Sequence, residues 1–283
     1  MPGGTPVLSI VIPVRNGMPF LPRALESALA VDVDDLEVVV CENFSTDGTA
    51  EWLRTVDDPR VRVLEAAEPR SAQENWTAAC AAASGTWVKL LCADDFLLPG
   101  GAERQLAAAR QEPGVAMVAS RRRVVDERDG VILRRHGLTG LLGRRRGVAA
   151  LKHAVADGSN SFGEPSAVLF SGAALAASLP FEARYPYLTD LDMYAKVLRH
   201  GDFVGLGSVD AAFRVNGGSW SAEVGRGQFD EVAGWMRDAD RDPELAPPAA
   251  VRGLRAVKMR LRYLARRLAS VVSRRRGSAQ PTS

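Results

Sequence analysis

Val88-Lys89-Leu90-Leu91-Cys92-Ala93-Asp94-Asp95-Phe96-Leu97-Leu98-Pro99 is an apolar run that halts at two adjacent acids. A short apolar run closed by a turn signal reads as a fully buried strand, which puts Asp94 and Asp95 at its carboxyl end. Two carboxylates crowded there repel each other and lose hydration, so the pair is costly when nothing neutralises it. A divalent cation relieves both costs. Carboxylate oxygens suit Mg2+ or Mn2+, which complete their shells with substrate phosphates. A plainer reading stands beside this one: one Asp caps the helix that begins near Pro99, and the other faces solvent.

Upstream, the same grammar repeats. Val7-Leu8-Ser9-Ile10-Val11-Ile12-Pro13-Val14 is β-rich and ends in Arg15-Asn16-Gly17, a turn signal. Leu21, Ala24, Leu25, Ala28 and Leu29 follow at helical spacing. Leu36 to Cys41 is a second strand, closed by Glu42-Asn43-Phe44-Ser45-Thr46-Asp47-Gly48-Thr49, and a short helix carries Trp52 and Leu53. Val61 to Leu64 makes a third strand, and an Ala-rich helix over about Ala72 to Ala83 stops at Gly85, just before the acid-ended strand. Strands alternating with helices predict a mostly parallel, doubly wound α/β sheet with helices on both faces. Such sheets bind ligands beyond the carboxyl ends of their strands. Arg15, Asn16, Glu42, Asn43, Asp47, Asp94 and Asp95 therefore share one rim. Each has an ordinary explanation as a turn or cap, but together they form a polar crescent suited to a nucleotide diphosphate and its metal. Neither a Gly-x-Gly-x-x-Gly nor a Gly-Lys-Ser/Thr loop follows the first strand, so a dinucleotide site and a phosphate-binding loop are unsupported.

Downstream, a helix runs from Pro99 to about Glu112, and Val115 to Ala119 is a further strand. Val124-Val125-Asp126 and Val131-Ile132-Leu133 flank Asp129-Gly130 as a hairpin. Leu138 to Gly147, rich in Gly and Arg, reads as a mobile loop leading to a helix near Val148 to Ala156. Its Arg144-Arg145-Arg146 is read as a solvated turn ahead of a phosphate clamp. Gly163-Glu164-Pro165-Ser166 turns into a buried strand ending near Phe170. Pro186 to Tyr194 opens a helix with Asp190 at its amino end, where the macrodipole favours a carboxylate and an ordinary cap is the alternative. Asp192, two residues on, faces elsewhere. Phe203 to Leu206 and Ala211 to Val215 read as two strands, followed by Asn216-Gly217-Gly218-Ser219-Trp220-Ser221. His136, His153 and His200 show no ligand spacing and read as surface residues.

The chain of 283 residues has a net charge of +2 that hides an asymmetry. Residues 251–283 hold ten Lys/Arg and no acid, leaving residues 1–250 with 26 basic against 34 acidic residues. An acidic body with one basic end argues against nucleic acid as a partner. Cys41, Cys80 and Cys92 are an odd number in apolar contexts without zinc-type spacing, as expected of buried thiols in a reducing compartment. No signal-like or membrane-spanning stretch is apparent, so the expected location is cytoplasmic. Residues 236–250, with prolines and acids, read as a linker between a body over 1–235 and a C-terminal basic amphipathic helix with a disordered tail over 251–283. In that helix Leu254, Val257, Leu261, Leu264, Leu268 and Val271 recur at helical spacing, with Arg252, Arg255, Arg262, Arg266 and Arg267 on other faces. It can pack on the body or a partner, or lie on an anionic membrane surface. Arg274-Arg275-Arg276 and the polar tail favour the membrane, through about 251–276, on the inner face of the cell membrane.

Ser9 to Asn16, Glu42 to Thr49 and Ala93-Asp94-Asp95 resemble, in order and spacing, the family 2 glycosyltransferases, inverting enzymes of the GT-A fold. Asn75-Trp76, Gly163-Glu164-Pro165-Ser166 and Tyr187 to Asp192 resemble the bacterial polysaccharide branch. The resemblance implies a donor half over about 1–120, an acceptor half over about 121–235, and a Mg2+ or Mn2+ cofactor. The implied reaction moves a sugar from a nucleotide-diphosphate sugar to a saccharide or lipid-linked acceptor in cell-surface polysaccharide synthesis. By position, Pro13, Val14, Arg15 and Asn16 border the nucleotide, Asn43 contacts the base, Asp94 lies nearer the ribose and phosphates, and Asp95 is the direct metal ligand. Glu42, Asp47, Asn75 and Lys89 are grouped with the nucleotide-sugar residues. Asp190 is the catalytic base, preceded by Thr189 where a Glu is common. Gly163, Glu164, Pro165, Ser166, Asp192, Ser219 and Trp220 belong to the acceptor and active-site loops, and Asn216 replaces a His frequent in the family's Arg-x-His pattern. A nucleotidyltransferase and a non-catalytic nucleotide-sugar-binding module are the alternatives.

Overall fold

In the computed structural model, which describes residues 5–216 and 228–261, the expected alternation forms. It runs β1 (Leu8–Val14), α1 (Leu21–Leu29), β2 (Leu36–Glu42), α2 (Thr49–Leu53), β3 (Val61–Glu65), α3 (Ala72–Ala81), β4 (Trp87–Leu90). After β5 (Phe96–Leu97) and α4 (Gly101–Gln111) come β6 (Val115–Val125), β7 (Val131–His136) and β8 (Gly143–Arg145). The chain continues through α5 (Gly147–Asp157), β9 (Val168–Ser171), α6 (Gly172–Ala176), α7 (Thr189–Val197), β10 (Asp202–Arg214) and α8 (Gln228–Ala239). Local signals explain the boundaries. Ser71 and Glu74 form a reciprocal capping box that starts α3, Pro22 lies in the first turn of α1, and Gly158 closes α5 in the left-handed conformation.

All ten strands join one sheet, ordered β3-β2-β1-β4-β9-β6-β10-β5, with β7 on β6 and β8 on β10. β3, β2, β1 and β4 are mutually parallel, β9 is antiparallel to both β4 and β6, and β10 is parallel to β6. The long strands thus run one way, with β9 inserted against them. Because side chains alternate across a strand, β1 sends Ile10 and Ile12 to one face and Val11 to the other. α1 and α4 cover the first face with Leu21, Ala24, Leu25, Leu106 and Ala109. α3, α5, α7 and α8 cover the second with Ala79, Leu151, Leu191 and Trp235.

Three expectations are corrected by packing. The segment from Leu138 to Gly147 is an ordered edge: Leu138 and Leu141 are fully buried, and β8 pairs with β10. Arg144 there is half-exposed and pairs with Glu112 and Asp202. The two strands expected over 203–215 fuse into β10, with register shifts near Val209 absorbing the irregularity. Residues 236–250 are not a free linker, since Trp235, Met236, Ala239 and Leu245 belong to the body's core, and so does Met259 beyond them.

Candidate active site

The carboxyl ends of β1, β2 and β4 converge as the parallel topology requires. At β1 the side chains of Pro13 and Val14 are buried while Arg15 and Asn16 are exposed. The loops after β1 and β2 are stitched together by their own polar residues. Asn16 accepts from the Thr46 N–H (2.8 Å), and its own N–H donates to Ser45 Oγ (2.8 Å). Asp47 accepts from the Met18 N–H and from Thr49 through separate oxygens. Glu42 accepts from the Ser45 (2.7 Å) and Phe44 (3.2 Å) N–H groups, fixing Phe44 at a positive φ with its ring exposed. Asn43 is 2% exposed, and its amide meets the peptide of Arg70 in both directions at 2.9 Å. Asn43 thus clamps the β3–α3 connection. Asn75 donates to the Cys41 carbonyl (3.1 Å), and its buried Oδ1 lacks a donor among the described residues.

Asp94 and Asp95 differ sharply. Asp95 is 1% exposed and accepts from the Ser166 hydroxyl on one oxygen and the Arg214 N–H (2.9 Å) on the other. Asp94 is partly exposed and accepts from the Asn216 amide at 2.9 Å. Burial raises the pKa of both, most strongly that of Asp95, which also feels the Asp94 charge. Of the two carboxylates Asp94 is thus the more exposed and Asp95 the buried one. Cys92 joins them: its Sγ and one oxygen of each acid lie within 4.8 Å of one another. These oxygens are a donor set fit for a hard divalent ion, with a thiol whose pKa burial and the charges of Asp95, Asp94 and Asp190 push up.

Asp190, in the first turn of α7, is half-buried and near enough to Cys92 that its charge acts on that thiol, as those of Asp94 and Asp95 do. Asn160 donates to its Oδ2 (2.6 Å) and the Leu191 N–H to its Oδ1 (2.7 Å). Burial nevertheless raises its pKa to about 6. Thr189 bonds Pro186 O and Gln73, so it braces the turn before the helix. Glu164 pairs with Arg122 of β6, which is 5% exposed and whose Nη1 has no acceptor among the described residues. Gly163 is held at φ +109° against that guanidinium, and an added Cβ would lie 2.9 Å from Nη1. Pro165 opens the short 3-10 turn Pro165–Ala167 that delivers Ser166 to Asp95.

Two expected residues are not brought here. Lys89 is 1% exposed and donates to Gln105 Oε1 (2.7 Å) and Val168 O (3.1 Å) inside the core, where burial lowers its pKa to about 7. Asp192 turns away to Trp235 Nε1 (3.2 Å) and Lys196 (3.8 Å), because residues two apart on a helix point to different sides. Ser219 and Trp220 lie outside the described residues. Conversely, Arg214 was absent from the expected set. It donates to the Asp94 carbonyl (2.8 Å) and the Asp126 carbonyl (2.9 Å), pairs with Asp129 (2.6 Å), and stacks 4.6 Å from the Phe20 ring centre. Asn160 and Arg122 were also missed. The one legible signal was a run of three arginines inside a strand, which requires at least one to face inward.

A mostly parallel sheet with paired acids beyond the end of β4, and a half-buried carboxylate in the first turn of α7, is the arrangement of a GT-A-type fold. Residues 9–168 match the model of Glycosyl transferase family 2, and the chain belongs to that family. It is 33% identical over 129 residues to a chondroitin synthase of Escherichia coli, covering 45% of this chain and 19% of that protein. It is 33% identical over 104 residues to the succinoglycan biosynthesis protein ExoO of Rhizobium meliloti (strain 1021), covering 37% and 30% respectively. The chain therefore spans less than a third of the length of these curated relatives. Among solved structures, S. aureus TarS 1-349 in complex with UDP-GlcNAc superposes with a TM-score of 0.60 at 15% identity, over 79% of this chain and 66% of that one. Mannosyltransferase PcManGT from Pyrobaculum calidifontis, in complex with GDP-Man and Mn2+, gives 0.51 at 18% identity over 92% and 81%. At these identities the likeness establishes the fold.

Proposed function

We propose that this chain transfers a sugar, with inversion, from a nucleotide-diphosphate sugar to a hydroxyl of a saccharide or lipid-linked acceptor, in polysaccharide assembly on the cytoplasmic side of a membrane. The observation that carries this reading is Asp190: a half-buried carboxylate with a pKa raised to about 6, oriented by Asn160 and Leu191 and near enough to Cys92 that its charge acts on that thiol together with those of Asp94 and Asp95. Each Asp190 oxygen accepts one hydrogen bond there and keeps a free lone pair. One of these takes the acceptor hydroxyl's proton as the hydroxyl oxygen bonds to the anomeric carbon. The bond from that carbon to the diphosphate oxygen breaks on the opposite face, and the nucleoside diphosphate leaves with the electron pair.

Asp94 and Asp95, with Asn216 and Arg214 holding their turn, would hold Mg2+ or Mn2+ on the diphosphate side. When bound, such an ion offsets the charge that grows on the leaving diphosphate. The relatives, a chondroitin synthase and a succinoglycan biosynthesis protein, support the polysaccharide setting. The solved complexes with UDP-GlcNAc and GDP-Man support the donor class.

The test is a screen of nucleotide sugars for metal-dependent protection against thermal unfolding, followed by product analysis with saccharide acceptors. One donor should protect only with Mg2+ or Mn2+ and release its nucleoside diphosphate on turnover. Release of a sugar 1-phosphate, with the nucleotidyl group moved to the acceptor, would assign the site to nucleotidyl transfer. Binding without turnover under any acceptor would make the chain a binding module.

A further inference from the structure

Residues 249–261 are helical, and the helix is mounted in an unusual sense. Arg255 is 6% exposed and grips both oxygens of Asp240 and the Val155 carbonyl. Met259, 8% exposed, lies over Gly158, where an added Cβ would stand 2.8 Å from Met259 Cγ and 2.7 Å from Arg255 Cγ. Leu254, Val257 and Leu261, spaced three and four residues apart, are 58%, 55% and 61% exposed. A surface helix ordinarily buries its apolar stripe and shows its arginines. Here an arginine and a methionine are buried and the stripe faces outward, beside exposed Arg252, Lys258 and Arg260.

We propose that this outward stripe docks on an anionic lipid surface and holds the acceptor wall of the cleft against it. The occupant follows from charge. Residues 251–283 hold ten Lys/Arg and no acid. Apolar side chains at helical spacing flanked by cations of one sign match the acyl boundary and the phosphate layer of such a surface. The link to the site is short. Gly158 ends α5, and two residues later Asn160 donates to Asp190. The surface that receives the helix therefore adjoins the loop that orients the base. The second half of the proposal rests on the lipid-linked acceptor proposed above; docking itself does not.

The test is cosedimentation of the full chain with phosphatidylcholine vesicles, with and without phosphatidylglycerol. Anionic vesicles should capture the protein, neutral ones should capture at least tenfold less, and salt should release it. Replacing Leu254, Val257 and Leu261 together by Glu should cut capture at least tenfold. These side chains are exposed, so donor-dependent thermal protection should stay unchanged, which separates failure of docking from failure of the proposed activity. Equal capture by neutral vesicles, or wild-type capture of the triple variant, would overturn the proposal. So would a stripe-dependent dimer without vesicle binding, which would assign the face to a second copy.

Discussion

On the wall built by the ends of β1 and β2, the polar side chains of Asn16, Glu42, Asn43 and Asp47 are all engaged with backbone groups of neighbouring loops. On the side built by α7, β6 and the loop before β9, Asp190 and Arg122 are half-buried and buried charges whose environment opposes ionisation, and Arg122 also keeps an unmatched donor among the described residues. The first wall is a shaped cradle: these four side chains are engaged by the protein's own groups, which fixes the loops that carry them. The second stores imbalance, and perturbed charges facing a cleft are where proton transfer is performed. Substitutions should accordingly weaken donor binding on one side and turnover on the other.

The largest effect belongs to Asp190→Asn. The amide keeps the acceptor oxygen but cannot take a proton, so turnover should fall by roughly 10²–10⁴-fold with donor-dependent thermal protection intact. In the wild-type protein, turnover should drop as pH falls through about 6, where Asp190 becomes protonated. Stability gives an independent sign. Because burial raises the folded pKa, ionising Asp190 disfavours the folded state, and that cost appears as pH rises through the ordinary carboxylate range to about 6 and beyond. Asp190→Asn should therefore gain melting temperature relative to wild type at pH 8 and lose that advantage at pH 4. A variant that binds donor poorly but turns over normally would erase the contrast between the walls.

Next comes Asp94→Asn, where the metal concentration for half-maximal turnover should rise by roughly 10–100-fold. Ser166→Ala should raise it by about tenfold, since Ser166 touches the pair through Asp95. Metal-dependent quenching of intrinsic fluorescence would read both without reference to turnover. If Ser166→Ala proved the more damaging of the two, Asp95 rather than Asp94 would carry the ion.

Much of this arrangement was legible along the chain, and its failures share a cause. β1, β2 and β4 announce themselves because apolar runs stop at turn residues, and period alone places their ends on one rim. β8 does not, because Gly143 to Arg145 is polar and becomes a strand only by pairing with β10. The basic helix had a readable period but an unreadable mounting, since Arg255 and Met259 find Asp240 and Gly158 only in the fold. Within the site, Asp190 was legible from its helix start. Asn160 and Arg214 were not, because their partners lie 30 and 119 positions away. Lys89 misled for the converse reason: a lone cation in an apolar strand resembles a ligand-binding residue, whereas here Gln105 and Val168 hold it in the core.

Asn43 offers the smallest expected effect and the sharpest check on the cradle. Its amide donates to the Arg70 carbonyl and accepts from the Arg70 N–H, a pairing that only an amide matches in both directions. Asn43→Asp keeps the acceptor and sets a second carboxylate oxygen against a carbonyl, so the β3–α3 connection should loosen at a cost of about 1 kcal/mol. Donor KM should then rise roughly threefold to tenfold with kcat unchanged, because the connection shapes the nucleotide side and touches no proton in flight. If KM fell instead, the aspartate would be meeting the base directly, and the clamp on Arg70 would give way when donor binds. If kcat fell as far as in Asp190→Asn, the two walls would not be separable, and the cradle would have to be treated as part of the reacting centre.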